Sequence, residues 1–221
     1  MAPHAGKYIV GGLLAGFVAA VVTTAACAAD FVADGNGWTM RMDGDITMGD
    51  AARFRLAYEN ACAANGHCPN GILLNSRGGW VAYATELAGE VEAHGMVTGV
   101  ARDNECCSAC VLVFAAGVAK SVTKSSFIGV HRAFDVVRDN KGVERFIDTE
   151  GSLRATLDMA AAYRRGNVPQ MVIDKMLSTP GEQMTQIHWN EWPGLYLTDR
   201  DSDSKMIRNP QGSKQKRMKR K

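Results

Sequence analysis

The segment 71–131 leaves the chain little choice of architecture. It opens on Gly71-Ile72-Leu73-Leu74-Asn75, a run too short for a helix and continuously apolar, as expected of a strand buried on both faces of a parallel sheet. A helix follows over 81–94, with Ala84, Leu87, Ala88 and Val91 at helical spacing and Gly95 just past its end. Residues 96–101 form the next strand. After a polar loop, Asp103-Asn104-Glu105, the run Cys106-Cys107-Ser108-Ala109-Cys110 opens a wholly apolar stretch, 111–116. Gly117 closes that stretch, which reads as a short buried helix. Residues 120–123 and 126–130 are two more strands, the second ending on His131. Such alternation with short loops specifies an α/β fold, a mainly parallel sheet flanked by helices. Ligands of such sheets sit at the carboxyl ends of the strands.

The flanks add elements of the same kind. Residues 30–37 read as an unstructured leader, and 37–47 alternates apolar and polar residues, as a strand or hairpin does. A helix starting at Thr47 or Gly49-Asp50 runs to about Ala63, with Phe54, Tyr58 and Ala61 on one side. Asp139-Asn140-Lys141-Gly142 lies between two Val/Phe-rich arms over 134–146, a hairpin signal. A helix over 152–163 turns Leu153, Leu157 and Ala160 inward. Pro169 opens another to Leu177, His188 neighbours Trp189 and Trp192 in a last helix, and 194–197 is a final strand.

A chain of 221 residues with 46% hydrophobic and 22% charged residues is long enough for one domain with a sizeable core. Its net charge of +2 conceals an asymmetry. Eight of the 25 basic residues and none of the acidic ones fall in 204–221, so the rest of the chain is acidic. That implies no nucleic-acid-binding body and leaves any anionic partner, a membrane or envelope surface, to the tail. The tail itself reads as solvated and disordered. At the other end, Lys7, an apolar stretch over 8–22 and the small residues ending in Ala26-Cys27-Ala28 read as a secretory signal spanning 1–29. An uncleaved N-terminal anchor and lipidation at Cys27 are the alternatives. All three place the domain, 30–203, in the periplasm or elsewhere outside the cytoplasm.

Five cysteines follow the signal, and in an oxidising compartment they are disulfide candidates. Cys62 and Cys68 bracket a short loop and can pair locally; Cys106 or Cys107 can pair with Cys110. Five is odd, so one thiol remains. No two His or Cys pairs recur at ligand spacing, so neither a metal nor another cofactor is expected.

Two strand ends carry the chemistry. Ser76-Arg77-Gly78-Gly79 follows the first strand, and its glycines let a ligand approach the backbone N–H groups. Ser108 opens the short helix, where unpaired N–H groups face whatever the serine attacks. Each feature alone is ordinary, a turn or an N-cap. Together with His131 they become specific. Asn75-Ser76-Arg77-Gly78-Gly79, Cys107-Ser108-Ala109-Cys110 and Gly129-Val130-His131 resemble, in order and spacing, the proteolytic subunit of Clp protease and its crotonase-superfamily relatives. Cys106-Cys107-Ser108-Ala109-Cys110 is more similar still to the Clp-like proteins of the periplasm.

The resemblance implies a Clp-protease/crotonase-like fold and acyl transfer on a peptide or acyl substrate. Ser108 Oγ is the expected nucleophile and His131 the general base. The N–H groups of Ala109 and of Gly78 or Gly79 are the expected oxyanion donors, each worth roughly 3 kcal/mol. Glu182 is the first choice for the triad acid and Asp174 the second. Arg77 replaces the family's proline, and the cysteines beside Ser108 suggest a disulfide bracing its turn. Relatives form rings or trimers, so a homo-oligomer is expected, and no ATPase partner. Two rival readings stand beside this one. Cys107-Ser108-Ala109-Cys110 is a C-x-x-C at a helix start, as in thiol–disulfide proteins, and a fold can persist as a binding or scaffold protein without turnover.

Overall fold

The computed structural model describes residues 28–198. Of the expected signal or anchor, 1–29, residues 1–27 lie outside the described residues, as does the whole of the basic tail over 204–221. Among those described, no helix is long and apolar enough to cross a membrane.

The apolar runs pair as their composition requires. In chain order the elements begin with β1 (Asp30–Ala33), β2 (Thr39–Asp43), α1 (Asp50–Asn65), β3 (Gly71–Asn75), α2 (Val81–Ala93) and β4 (Val97–Val100). They continue with β5 (Glu105–Cys107), α3 (Cys110–Ala116), β6 (Lys120–Val122), β7 (Phe127–Val130), β8 (Asp135–Arg138) and β9 (Glu144–Ile147). The last are α4 (Glu150–Arg165), α5 (Gln170–Ser178), β10 (Thr185–Ile187) and β11 (Tyr196–Leu197). One sheet has the order β1-β2-β3-β4-β6-β11, parallel except for β1. A smaller sheet, β10-β7-β5, pairs β5 parallel to β7 and β10 antiparallel to it. A bridge between Ser76 and Cys106 joins the two sheets just where β3 ends. Thus the Gly-Gly turn after β3 and the cysteine-rich turn after β5 are neighbours by backbone pairing.

The core fills the space between the large sheet and the helices. Met40, Met42, Ile72 and Leu74 from β2 and β3, Leu87 and Val91 from α2, and Val111, Val113 and Phe114 from α3 are fully buried. At about 25 cal/mol per Å² of apolar surface, burial on this scale dominates the fold's stability.

Four expectations need correction. Residues 30–33 are not a leader but an edge strand whose Phe31 packs on Phe54. Glu105 belongs to β5 rather than to a polar loop, because long-range pairing with Phe127 overrides its local polarity. The buried face of α4 consists of Ser152, Thr156, Met159, Ala160 and Tyr163, while Leu153 and Leu157 are 50% and 66% exposed. Finally, Trp189–Glu191 is a single 3-10 turn, not a helix, and β10 precedes it.

Candidate active site

Ser108 is the first residue after β5 and takes φ +54°, a left-handed conformation that a non-glycine residue adopts only when its surroundings impose it. The surroundings do so from several sides. The N–H of Ser108 donates to Gly129 O at 2.8 Å, and that of Cys107 to Ser76 O at 3.0 Å. Cys106 and Cys110 are joined by a disulfide with a Cα–Cα distance of 5.3 Å, within the usual range. Ser108 is therefore pinned at a sharp strand–turn–helix junction. Its own side chain is partly exposed, while Cys106, Cys107, Ala109 and Cys110 are buried around it. This is the local shape of a nucleophile elbow.

The Gly-Gly turn packs directly on that elbow. A Cβ on Gly78, at φ +110°, would stand 2.8 Å from Cys107 O and 3.1 Å from Ala109 N. Only glycine can occupy that position. The two glycines differ in what they can offer. Gly78 N–H donates to the buried Ser76 Oγ at 3.1 Å, whereas Gly79 N–H and Ala109 N–H have no hydrogen-bond partner among the described residues. Of the expected oxyanion donors, Gly79 and Ala109 are thus the free pair. Both glycines, with Arg77, Trp80, Glu105 and Cys107, line a cleft of about 510 Å³, of the size that small-molecule sites have; Ser108 and His131 are not among its lining residues.

His131 is the first residue after β7, as Ser108 is the first after β5. The two strands are parallel neighbours with Cys107 opposite Gly129, so both residues stand at the same end of the same small sheet. His131 is buried, and that burial lowers its pKa from the ordinary histidine value, keeping the ring neutral. Its Nδ1 lies 2.9 Å from Arg132 O. A carbonyl only accepts, so Nδ1 carries the hydrogen and Nε2 presents a lone pair, the tautomer that a base requires. No hydrogen bond joins the Ser108 hydroxyl to the imidazole in this structure.

The structure brings neither acid candidate to His131. Glu182 is exposed without a hydrogen bond among the described residues. Asp174 is exposed on α5 and accepts from Gln170 Nε2 at 2.7 Å. The Arg132 carbonyl occupies the imidazole nitrogen that a triad acid would bind. Sequence reasoning also missed the surroundings of the base: Phe134, whose ring centroid lies 5.4 Å from that of His131, and Gly181 behind it. Nothing local in His131-Arg132-Ala133-Phe134 marks the phenylalanine as part of a site; only the fold does.

The cysteines are sorted by the same geometry. Cys62 pairs with Cys68 and Cys106 with Cys110, leaving Cys107 free and buried. Burial, with Glu105 beside it, pushes the Cys107 thiol up to about 12. The C-x-x-C pair of a thiol–disulfide protein is therefore not formed, and the remaining thiol is the opposite of activated.

No protein-family profile and no curated protein matches the sequence. Solved structures do. A serine-to-alanine variant of 1510-N, a membrane-bound stomatin-specific protease, superposes with a TM-score of 0.58 at 11% identity. The match covers 75% of this chain and 80% of that one. A lysine-to-alanine variant of the same protease, in complex with a substrate peptide, gives 0.55 at 10% identity over 76% and 78%. A variant of ClpP1 from Listeria monocytogenes gives 0.53 at 14% identity over 75% of this chain and 94% of that one.

Proposed function

We propose that this chain, whose fold is Clp-protease-like and shared with serine peptidases, is itself a serine hydrolase acting on peptides or related acyl substrates. The observation that carries the proposal is the strained elbow at Ser108. A left-handed serine costs free energy of order 1–3 kcal/mol, and here it is held by a disulfide, two sheet contacts and a glycine packed on its Cβ.

In the proposed reaction, His131 Nε2 takes the proton of Ser108 as Oγ attacks the substrate carbonyl. The N–H groups of Gly79 and Ala109 receive the negative charge that develops on the carbonyl oxygen. His131 then returns the proton to the leaving group, and water releases the acyl group by the same route. The Ser108 hydroxyl and the imidazole close their hydrogen bond as substrate enters, since such contacts are often long in free enzymes.

Two close cysteine pairs that fit disulfides support a location outside the cytoplasm. Attachment of the basic tail to an anionic surface and assembly into a homo-oligomer belong to the same proposal. One observation favours a second reading, a binding protein without turnover: the imidazole is hydrogen-bonded neither to a carboxylate nor to the serine. Hydrolysis of fluorogenic peptides, a nitrophenyl ester and an acyl thioester by the full chain and by Ser108→Ala separates the two. Turnover of any of them, lost in Ser108→Ala, supports the hydrolase; equal rates in both proteins overturn it.

A further inference from the structure

We infer that Phe134 is the positioning residue for His131, and that the hairpin β8–β9 keeps it in place. The inference rests on the reading of His131 as the base. An imidazole acting as a base must keep one tautomer and one ring orientation, and a buried carboxylate at Nδ1 usually secures both. Here the acceptor is the carbonyl of the next residue, at 2.9 Å. That carbonyl lacks a full charge and moves with the same loop, so it holds the tautomer only while the ring plane is kept; once the plane turns, the bond at Nδ1 is lost and both tautomers are populated. Packing must fix the plane.

Phe134 does this from a position that is itself defined on two sides. Its ring lies 5.4 Å from the His131 ring, tilted by 32°. On one side it meets Phe146 of β9 edge-on, at 4.9 Å and 78°, an arrangement aromatic pairs favour. On the other, a Cβ added to Gly181 would stand 2.5 Å from both Cβ and Cδ1 of Phe134, so even alanine at 181 would displace the ring.

The loop between base and hairpin is tied at each residue. Arg132 N–H donates to Thr179 O at 3.1 Å, and Ala133 N–H to Thr156 Oγ1 at 3.0 Å. The Arg132 guanidinium pairs with Asp148, just past β9, at 2.8 Å. By contrast, every residue of β8 and β9 is exposed, and among the described residues the hairpin pairs with no other strand. A lone two-stranded hairpin is marginal in water. Its position depends on the Phe134–Phe146 contact, the Arg132–Asp148 pair and the hydrogen bond that the Thr149 hydroxyl, at the start of α4, donates to Asp135 of β8, which makes the orientation of the base sensitive to the hairpin.

Long-range ¹H–¹⁵N correlation spectra of the labelled full chain read the His131 tautomer without any need for turnover. The wild type is expected to show one Nδ1–H tautomer at neutral pH, Phe134→Ala averaged shifts of two tautomers, and Phe134→Tyr the wild-type pattern. In hydrolysis, Phe134→Ala lowers kcat about 10–100-fold, as a misplaced group does, with KM held within about twofold, and Phe134→Tyr restores kcat. Phe146→Ala removes a ring that is 48% exposed. It moves both readouts in the same direction by less, and decides the matter if Phe134→Ala does not fold. A wild-type tautomer pattern and wild-type kcat in these variants overturn the positioning role. A wild type that hydrolyses nothing defeats the hydrolase reading instead, and the tautomer spectra still decide this one.

Discussion

A methyl group on Gly78 would stand 2.8 Å from the Cβ of Ser108, so the turn after β3 and the turn after β5 form one packed unit. Neither turn can move without the other. The glycine is there because no side chain fits between a strained serine and the backbone that faces the cleft.

Gly78→Ala is therefore expected to lose hydrolysis and active-site labelling altogether. Its backbone conformation alone costs about 1–3 kcal/mol of stability, before the clash with Cys107 O is counted. Gly89→Ala is the control: it lies inside α2 with nothing within 4 Å of the added carbon. It is expected to gain up to about 1 kcal/mol and keep full activity. Thermal unfolding and turnover measured on both variants check the contrast.

The lowered pKa of His131 gives a signed pH dependence. A base that is neutral when folded has its ascending limb of kcat/KM below pH 6.5, the unperturbed value. The same shift means the unfolded chain binds the proton more readily. Its contribution to stability is present above pH 6.5 and falls away as pH drops through the folded pKa. An NMR titration of His131 with its midpoint above 6.5 contradicts this.

Cys107 should resist alkylation in the folded protein. With its thiol pushed up to about 12, roughly one molecule in ten thousand is thiolate at pH 8. Iodoacetamide is expected to modify Cys107 only after unfolding, and non-reducing peptide maps to show Cys62–Cys68 and Cys106–Cys110. Rapid modification of the native protein, or a Cys107–Cys110 peptide, goes against the structure and revives the thiol reading.

The exposed leucines of α4 offer a stability test. Leu157→Gln, on a side chain 66% exposed, is expected to shift stability by less than about 0.5 kcal/mol. Met159→Ala, two positions on and fully buried, is expected to cost about 2–5 kcal/mol. Denaturant unfolding that ranks the two the other way contradicts the observed face.

These leucines also show what the sequence could convey. The strand after Gly71, the helices over 81–94 and 169–177 and the hairpin at Asp139-Asn140-Lys141-Gly142 were legible because hydrophobic period and turn chemistry are local. The face of α4 was not. Leucine spacing suggested one side, but the helix buries Thr156 because its hydroxyl bonds Ala133 N–H and Ser152 O, a demand set by another part of the chain. For the same reason β5 was hidden: Glu105 is a strand residue only because Phe127 pairs with it. Of the candidate site, Ser108, His131 and the glycines were proposed from motif and spacing. The surroundings of the base were not, because the Arg132 carbonyl, Phe134 and Gly181 meet His131 only in three dimensions.

The proposed hydrolase turns on Ser108 acting as a nucleophile activated by His131. Incubating the full chain with a fluorophosphonate and mapping the adduct by tandem mass spectrometry tests it directly. A single phosphonylated residue, Ser108, is expected, with labelling abolished in His131→Ala. An adduct elsewhere, or labelling that persists without His131, contradicts it.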